Sequence, residues 1–91
     1  MTITTSKGKV FPVVFIGVLL RDGHRLVIDL PDSRPLSEVA ADFEGLETVT
    51  KTNTKTPGVK EIYEGFTNLV EVHRNMAAGT VRVTLEKEGA A

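Results

Sequence analysis

The chain has no cysteine and no tryptophan, a single tyrosine, and almost no surplus of charge of either sign. Without cysteine there are no disulfides, no thiolate metal ligands and no thiol nucleophile. That composition suits a reducing cytoplasm, or a particle assembled in one. Eleven Lys and Arg against twelve Asp and Glu leave a net charge of −1. A non-specific DNA or RNA binder draws affinity from cationic side chains set on phosphates, so nucleic acid is not an expected partner. Long apolar runs are missing too. The longest, Val10–Leu20 (VFPVVFIGVLL), has eleven residues, whereas a spanning helix needs about 20. Lys7 and Lys9 precede it as in a signal peptide, but Arg21-Asp22-Gly23-His24 follows with no Ala-x-Ala-like site. Neither a membrane span nor a removed signal is expected.

The 91 residues make one domain, taken as residues 1–88 with a disordered tail over 89–91. Val10–Leu20 is the stretch the rest must be built around. It is rich in β-branched and aromatic residues and reads as the central strand of a sheet. Pro12 has no amide hydrogen and belongs at a strand start, an edge or a bulge. A break is therefore expected near Phe11–Val14, with a regular strand over Val13–Leu20. In that strand Val13, Phe15 and Leu19 point one way, and Val14, Ile16, Val18 and Leu20 the other. Two apolar rows require cover on both faces, and the chain offers one helix. Val14, Ile16 and Val18 are accordingly expected to face a protein partner or a second copy.

Met1–Ser6 is either a frayed end or a short first strand. Asp22-Gly23 suits a hairpin loop, and His24–Leu30 returns with Leu26, Ile28 and Leu30 on one face. Ser33 is a candidate helix cap and Pro35 fits the first turn. The segment PLSEVAADFEGL then places Leu36, Val39, Ala40, Phe43 and Leu46 on one stripe, leaves Glu38 and Asp42 outside it, and ends at Gly45. Thr48, Thr50, Thr52, Thr54 and Thr56 alternate with Val49, Lys51, Asn53 and Lys55. With little to bury, that row belongs in an edge strand or an arm free to add to a neighbouring sheet. Thr56-Pro57-Gly58 is a turn. Val59–Phe66 is a strand with a bulge or a bend at Gly65. Asn68–Asn75 sets Val70 and Val72 against Glu71 and His73. Thr80–Lys87 turns Val81, Val83 and Leu85 inward. The expected fold is α+β: a mostly antiparallel sheet of five to six strands, β-β-α-β-β-β in order, with one short helix on a face.

Chemistry is sparse. His24 and His73 lack HxH or HxxxH spacing and read as solvated, so no metal site is expected. Glu38, Asp42, Glu44 and Glu47 gather around the helix, but acid–base work needs a cleft and a raised pKa. Ser33 and Ser37 have no nearby base, and the glycines never cluster as a phosphate cradle. Lys51, Lys55, Lys60 and Arg74, with Tyr63 and Phe66, form a basic aromatic patch, yet Glu61, Glu64 and Glu71 interleave with it. No catalytic residue, cofactor or small-molecule ligand is expected.

The segment Ile62–Lys87, IYEGFTNLVEVHRNMAAGTVRVTLEK, resembles the C-terminal half of small proteins from phage and prophage gene clusters of gut bacteria, often near tail or other virion-assembly genes. The early stretch Thr4–Val18, TTSKGKVFPVVFIGV, and the short central helix fit the same picture. The resemblance rests on strand and hairpin motifs and carries no binding or catalytic residue across. It implies a non-enzymatic domain acting by protein–protein contact, virion or tail associated, in the bacterial cytoplasm or the virion. The interaction surface is expected at Val14, Ile16, Val18 and the threonine row. A small inhibitor or regulator of a host enzyme, working as an acidic decoy, is the alternative.

Overall fold

The structure is a computed structural model and describes residues 1–19, 24–53, 55 and 58–87. Among these it is α+β, with eight strands and one short helix. The strands are β1 (Thr2–Thr5), β2 (Val10–Pro12), β3 (Phe15–Leu19), β4 (Arg25–Pro31), β5 (Thr48–Thr52), β6 (Lys60–Glu64), β7 (Asn68–Asn75) and β8 (Thr80–Glu86). The helix α1 (Leu36–Phe43) stands midway along the chain. Four consecutive antiparallel pairs are dealt alternately to two sheets. One sheet runs β2-β1-β5-β6 and the other β3-β4-β8-β7.

The inner faces of both sheets share one buried cluster. Leu26 stands opposite Leu85, Ile28 opposite Val83 and Leu30 opposite Val81 along β4 and β8, and all six are fully buried. Ile3 and Val49 supply the first sheet's share, and Val39, Phe43 and Leu46 the helix's. Each fully buried aliphatic or aromatic side chain contributes about 1.5–3 kcal/mol. An eight-residue helix is too short to persist alone. Packing holds α1: Phe43 meets the Phe11 ring with centroids 5.2 Å apart. No side chain caps its start at Pro35, so Ser33 is not the cap expected of it. Gly45, in the left-handed region at φ 67°, turns the chain away just past the helix end.

Several expectations are corrected. The sheet is two sheets, because the apolar run divides. Pro12 ends β2, Val13 dives into the core, and β3 begins at Phe15 in the other sheet. Each piece lies on a sheet edge, so Val10–Leu20 is not a central strand. Residues Thr48–Thr52 are not an edge either: β5 pairs with β1 on one side and β6 on the other. A bulge between Leu69 and Glu71 turns Val70 outward, leaving Leu69 and Val72 to pack on the core. Asp42, expected in solvent, is buried. The hairpin loop at Asp22-Gly23, residues Leu20, Thr54, Thr56 and Pro57, and the tail from Glu88 onward lie outside the described residues.

Candidate protein-contact surface

In β1 and β5 the inward rows are Ile3 with Thr5 and Val49. Strand alternation therefore sends Thr2, Thr4, Thr48, Thr50 and Thr52 to the outer face of the first sheet. Their registers align them in ranks across the four strands. Pro12, Thr2, Thr52 and Lys60 form one rank, and Val10, Thr4, Thr50 and Ile62 the next. Thr48 and Glu64 follow. Val10 is 63% exposed and Ile62 60%. The result is a pleated face of hydroxyls and methyls, with β-branched apolar residues on both flanks and charge confined to Lys60 and Glu64. The first-strand threonines, Val10 and Ile62 were missed at the sequence level. Their signal was present: Thr2-Ile3-Thr4-Thr5 has the same alternation as Thr48–Thr52, with one large apolar residue facing in.

The other expected contact residues separate. Val14 lies in the bend before β3 and is 62% exposed. Ile16 is 8% exposed, paired with Ile28 and part of the core. Val18 is half-buried against the same core. Ile16 and Val18 thus point into the chain's own interior. Thr48, Thr50 and Thr52 share the outer face; Thr54 and Thr56 lie outside the described residues.

The second sheet covers part of its own outer face, leaving Phe15 and Leu19 exposed. Arg82 Nε and Nη2 donate to the two Asp29 carboxylate oxygens at 2.8 and 3.0 Å, which raises the guanidinium's pKa further. Arg25 and Glu86 stand 3.5 Å apart. The Phe15 ring lies over Gly17, where a Cβ would come within 2.8 Å of it. Beneath these groups Val27 and Thr84 are buried.

At the helix, five side chains from four segments form an ionic knot. Lys9 Nζ donates to Asp42 Oδ1 at 2.5 Å, and Arg34 Nη1 to Asp42 Oδ2 at 2.7 Å. Arg34 Nε and Nη2 also grip Asp32 at 2.8 to 3.2 Å. Arg74 donates to the backbone carbonyls of Asp32 and Arg34. The Lys9 hydrogen bond, then that of Arg34, holds the Asp42 carboxyl below its ordinary pKa although burial opposes this. Arg34 does the same for Asp32. Both groups stay ionised, the reverse of the raised pKa that a general acid requires. The knot fastens α1 to its neighbours.

Two shallow clefts of about 450 and 400 Å³ flank the β7–β8 turn and share Arg74, Asn75 and Met76. The Arg74 guanidinium there is engaged with backbone carbonyls. His24 is exposed at the entry to β4, whereas His73 stands opposite Arg82 on β7. Among the described residues no group of three or more His, Asp or Glu stands ready to hold a metal ion. The basic aromatic patch does not assemble. Lys51 stands 3.8 Å from Glu61, the Tyr63 hydroxyl donates to Glu61 at 2.8 Å, Phe66 is buried, and Arg74 belongs to the other sheet. No helix among the described residues is long and apolar enough to cross a membrane. The chain matches no family model, no curated protein and no solved structure.

Proposed function

We propose that this chain is a non-enzymatic protein-contact domain of phage or prophage type, associated with virion or tail assembly in the bacterial cytoplasm or the particle. The observation that carries this reading is the outer face of the first sheet. Val10, Thr4, Thr50 and Ile62 run across it as one uncharged rank, with Val10 and Ile62 more than half exposed. A pleated, charge-poor surface of that kind suits burial against protein, since few ions need desolvation. An acidic decoy for a host enzyme is less well supported, because of the four carboxylates gathered around the helix, Glu38, Asp42, Glu44 and Glu47, Asp42 is buried and matched by Lys9 and Arg34.

The test is co-expression with each tail or virion-assembly protein of the same gene cluster, followed by solution mass measurement. A complex heavier than the 9.9 kDa chain is expected, weakened by Val10→Lys or Thr50→Lys and little affected by salt. A chain that stays folded and monomeric, alone and beside every such partner, overturns the reading.

A further inference from the structure

We propose that β6 is a self-pairing edge: two copies of this chain join their first sheets antiparallel through it, centred on Ile62. This deepens the protein-contact reading and rests on it, naming a second copy as the partner. Hydrogen-bond parity fixes which way the strand's backbone faces. Gly65 N–H donates to the Glu47 carbonyl at 3.1 Å, so the pair 47/65 is a hydrogen-bonded one. Antiparallel pairs alternate, which makes 49/63 and 51/61 hydrogen-bonded and 48/64, 50/62 and 52/60 not. The opposite ladder agrees: Ser6 N–H donates to the Thr48 carbonyl at 3.0 Å, so the even-numbered residues of β5 bond to β1. The N–H and C=O groups of Lys60, Ile62 and Glu64 therefore point out of the sheet, and among the described residues no hydrogen bond reaches them. They are a free template for one more strand.

The residue order selects that strand. In an antiparallel pairing centred on Ile62, Lys60 of one copy faces Glu64 of the other, twice by symmetry, and Ile62 faces Ile62. On the opposite face Glu61 stands across from Tyr63. Charges that would repel an arbitrary strand are complementary to their own two-fold image, as an isologous contact requires. The other edges carry no such code. Edge strand β2 has three residues and ends in Pro12, β7 is broken by its bulge, and β3 is apolar throughout apart from Gly17. Joining at β6 makes one eight-stranded sheet with the threonine ranks running through it.

The test uses charge reversal on the full chain, with mass and association constant measured by sedimentation. Lys60 and Glu64 are exposed, so their variants keep the core. The wild-type chain is expected to dimerise, and Lys60→Glu or Glu64→Lys alone to weaken this about ten- to thirty-fold by setting like charges opposite each other. The double variant K60E/E64K regains association. Mixing the two single variants gives a heterodimer with both charge pairs complementary. Ile62→Pro, which removes an outward N–H and no internal ladder bond, abolishes pairing while circular dichroism stays native. A monomeric wild type at high concentration overturns the inference, and so does a dimer indifferent to these reversals or lost only on Leu19→Lys in β3. If a virion-assembly partner binds in those cases regardless of the swaps, the protein-contact reading stands without the β6 edge.

Discussion

Lys9 and Asp42 meet at 2.5 Å although they lie 33 positions apart in the chain. The lysine sits in the turn between β1 and β2 and the aspartate in the last turn of α1. Their contact, with Arg34 on the second carboxylate oxygen, fastens the helix to the first sheet.

Replacing that carboxylate should lower stability in a pH-dependent way. Asp42 titrates below its ordinary value in the folded chain, against about 3.9 unfolded. Its contribution is therefore fully present above about pH 4 and is lost as pH falls through the folded value. Asp42→Asn is expected to cost about 1–2 kcal/mol at neutral pH. Urea unfolding should show that gap closing as the pH is lowered below the ordinary carboxylate range; a constant gap would remove the linkage.

A gain is expected at Thr5. Its side chain is buried with the first sheet's core face, and its hydroxyl has no hydrogen-bond partner. Thr5→Val keeps the shape and deletes the unpaired group, which should stabilise by about 1 kcal/mol. In a domain of this size that raises the thermal midpoint by about 4–8 °C. Calorimetry decides it, and a lower midpoint counts against the assignment.

Apolar positions two residues apart should respond very differently. Ile16→Lys places an uncompensated ammonium among Ile28 and its neighbours, enough to abolish the fold in a chain stabilised by only about 5–15 kcal/mol. Val14→Lys, at an exposed bend, should shift stability by no more than about 0.5 kcal/mol. Circular dichroism of the two variants side by side is the check.

Tyr63 is the chain's one tyrosine, so its phenolate absorbance reports a single site. Burial first, and the hydrogen bond to Glu61 second, push its pKa up to about 12. Because the folded value lies above the unfolded one, this contribution is complete below about pH 10 and fades as pH rises through the folded value. A titration midpoint near 10 in the native chain would contradict the packing. Glu61→Gln should move the midpoint down.

What the sequence disclosed was governed by periodicity. Strand β8 was legible because Val81, Val83 and Leu85 alternate with polar residues, and α1 because Val39 and Phe43 recur at helical spacing. The division of Val10–Leu20 was legible only in part. Pro12 announced a break, but a continuous apolar run says nothing about which sheet each half enters. The threonine row gave its face correctly and its place wrongly. A polar row signals solvent on one side, and only the buried Val49 and the short β1 made that strand interior. Asp42 was misplaced because helical periodicity counts apolar residues, whereas its burial depends on Lys9 and Arg34 arriving from elsewhere. The bulge at Val70 adds one residue to a ladder, which strict alternation in sequence conceals.

The alternate dealing of strand pairs has a consequence for dissection. Any cut near the helix leaves each fragment holding one pair from each sheet, and the seams that unite them, β1 to β5 and β4 to β8, both cross the cut. Neither fragment contains a finished layer. Split there, the molecule should recover its shape only when the two pieces are mixed, which makes it a natural candidate for fragment complementation and a poor one for truncation.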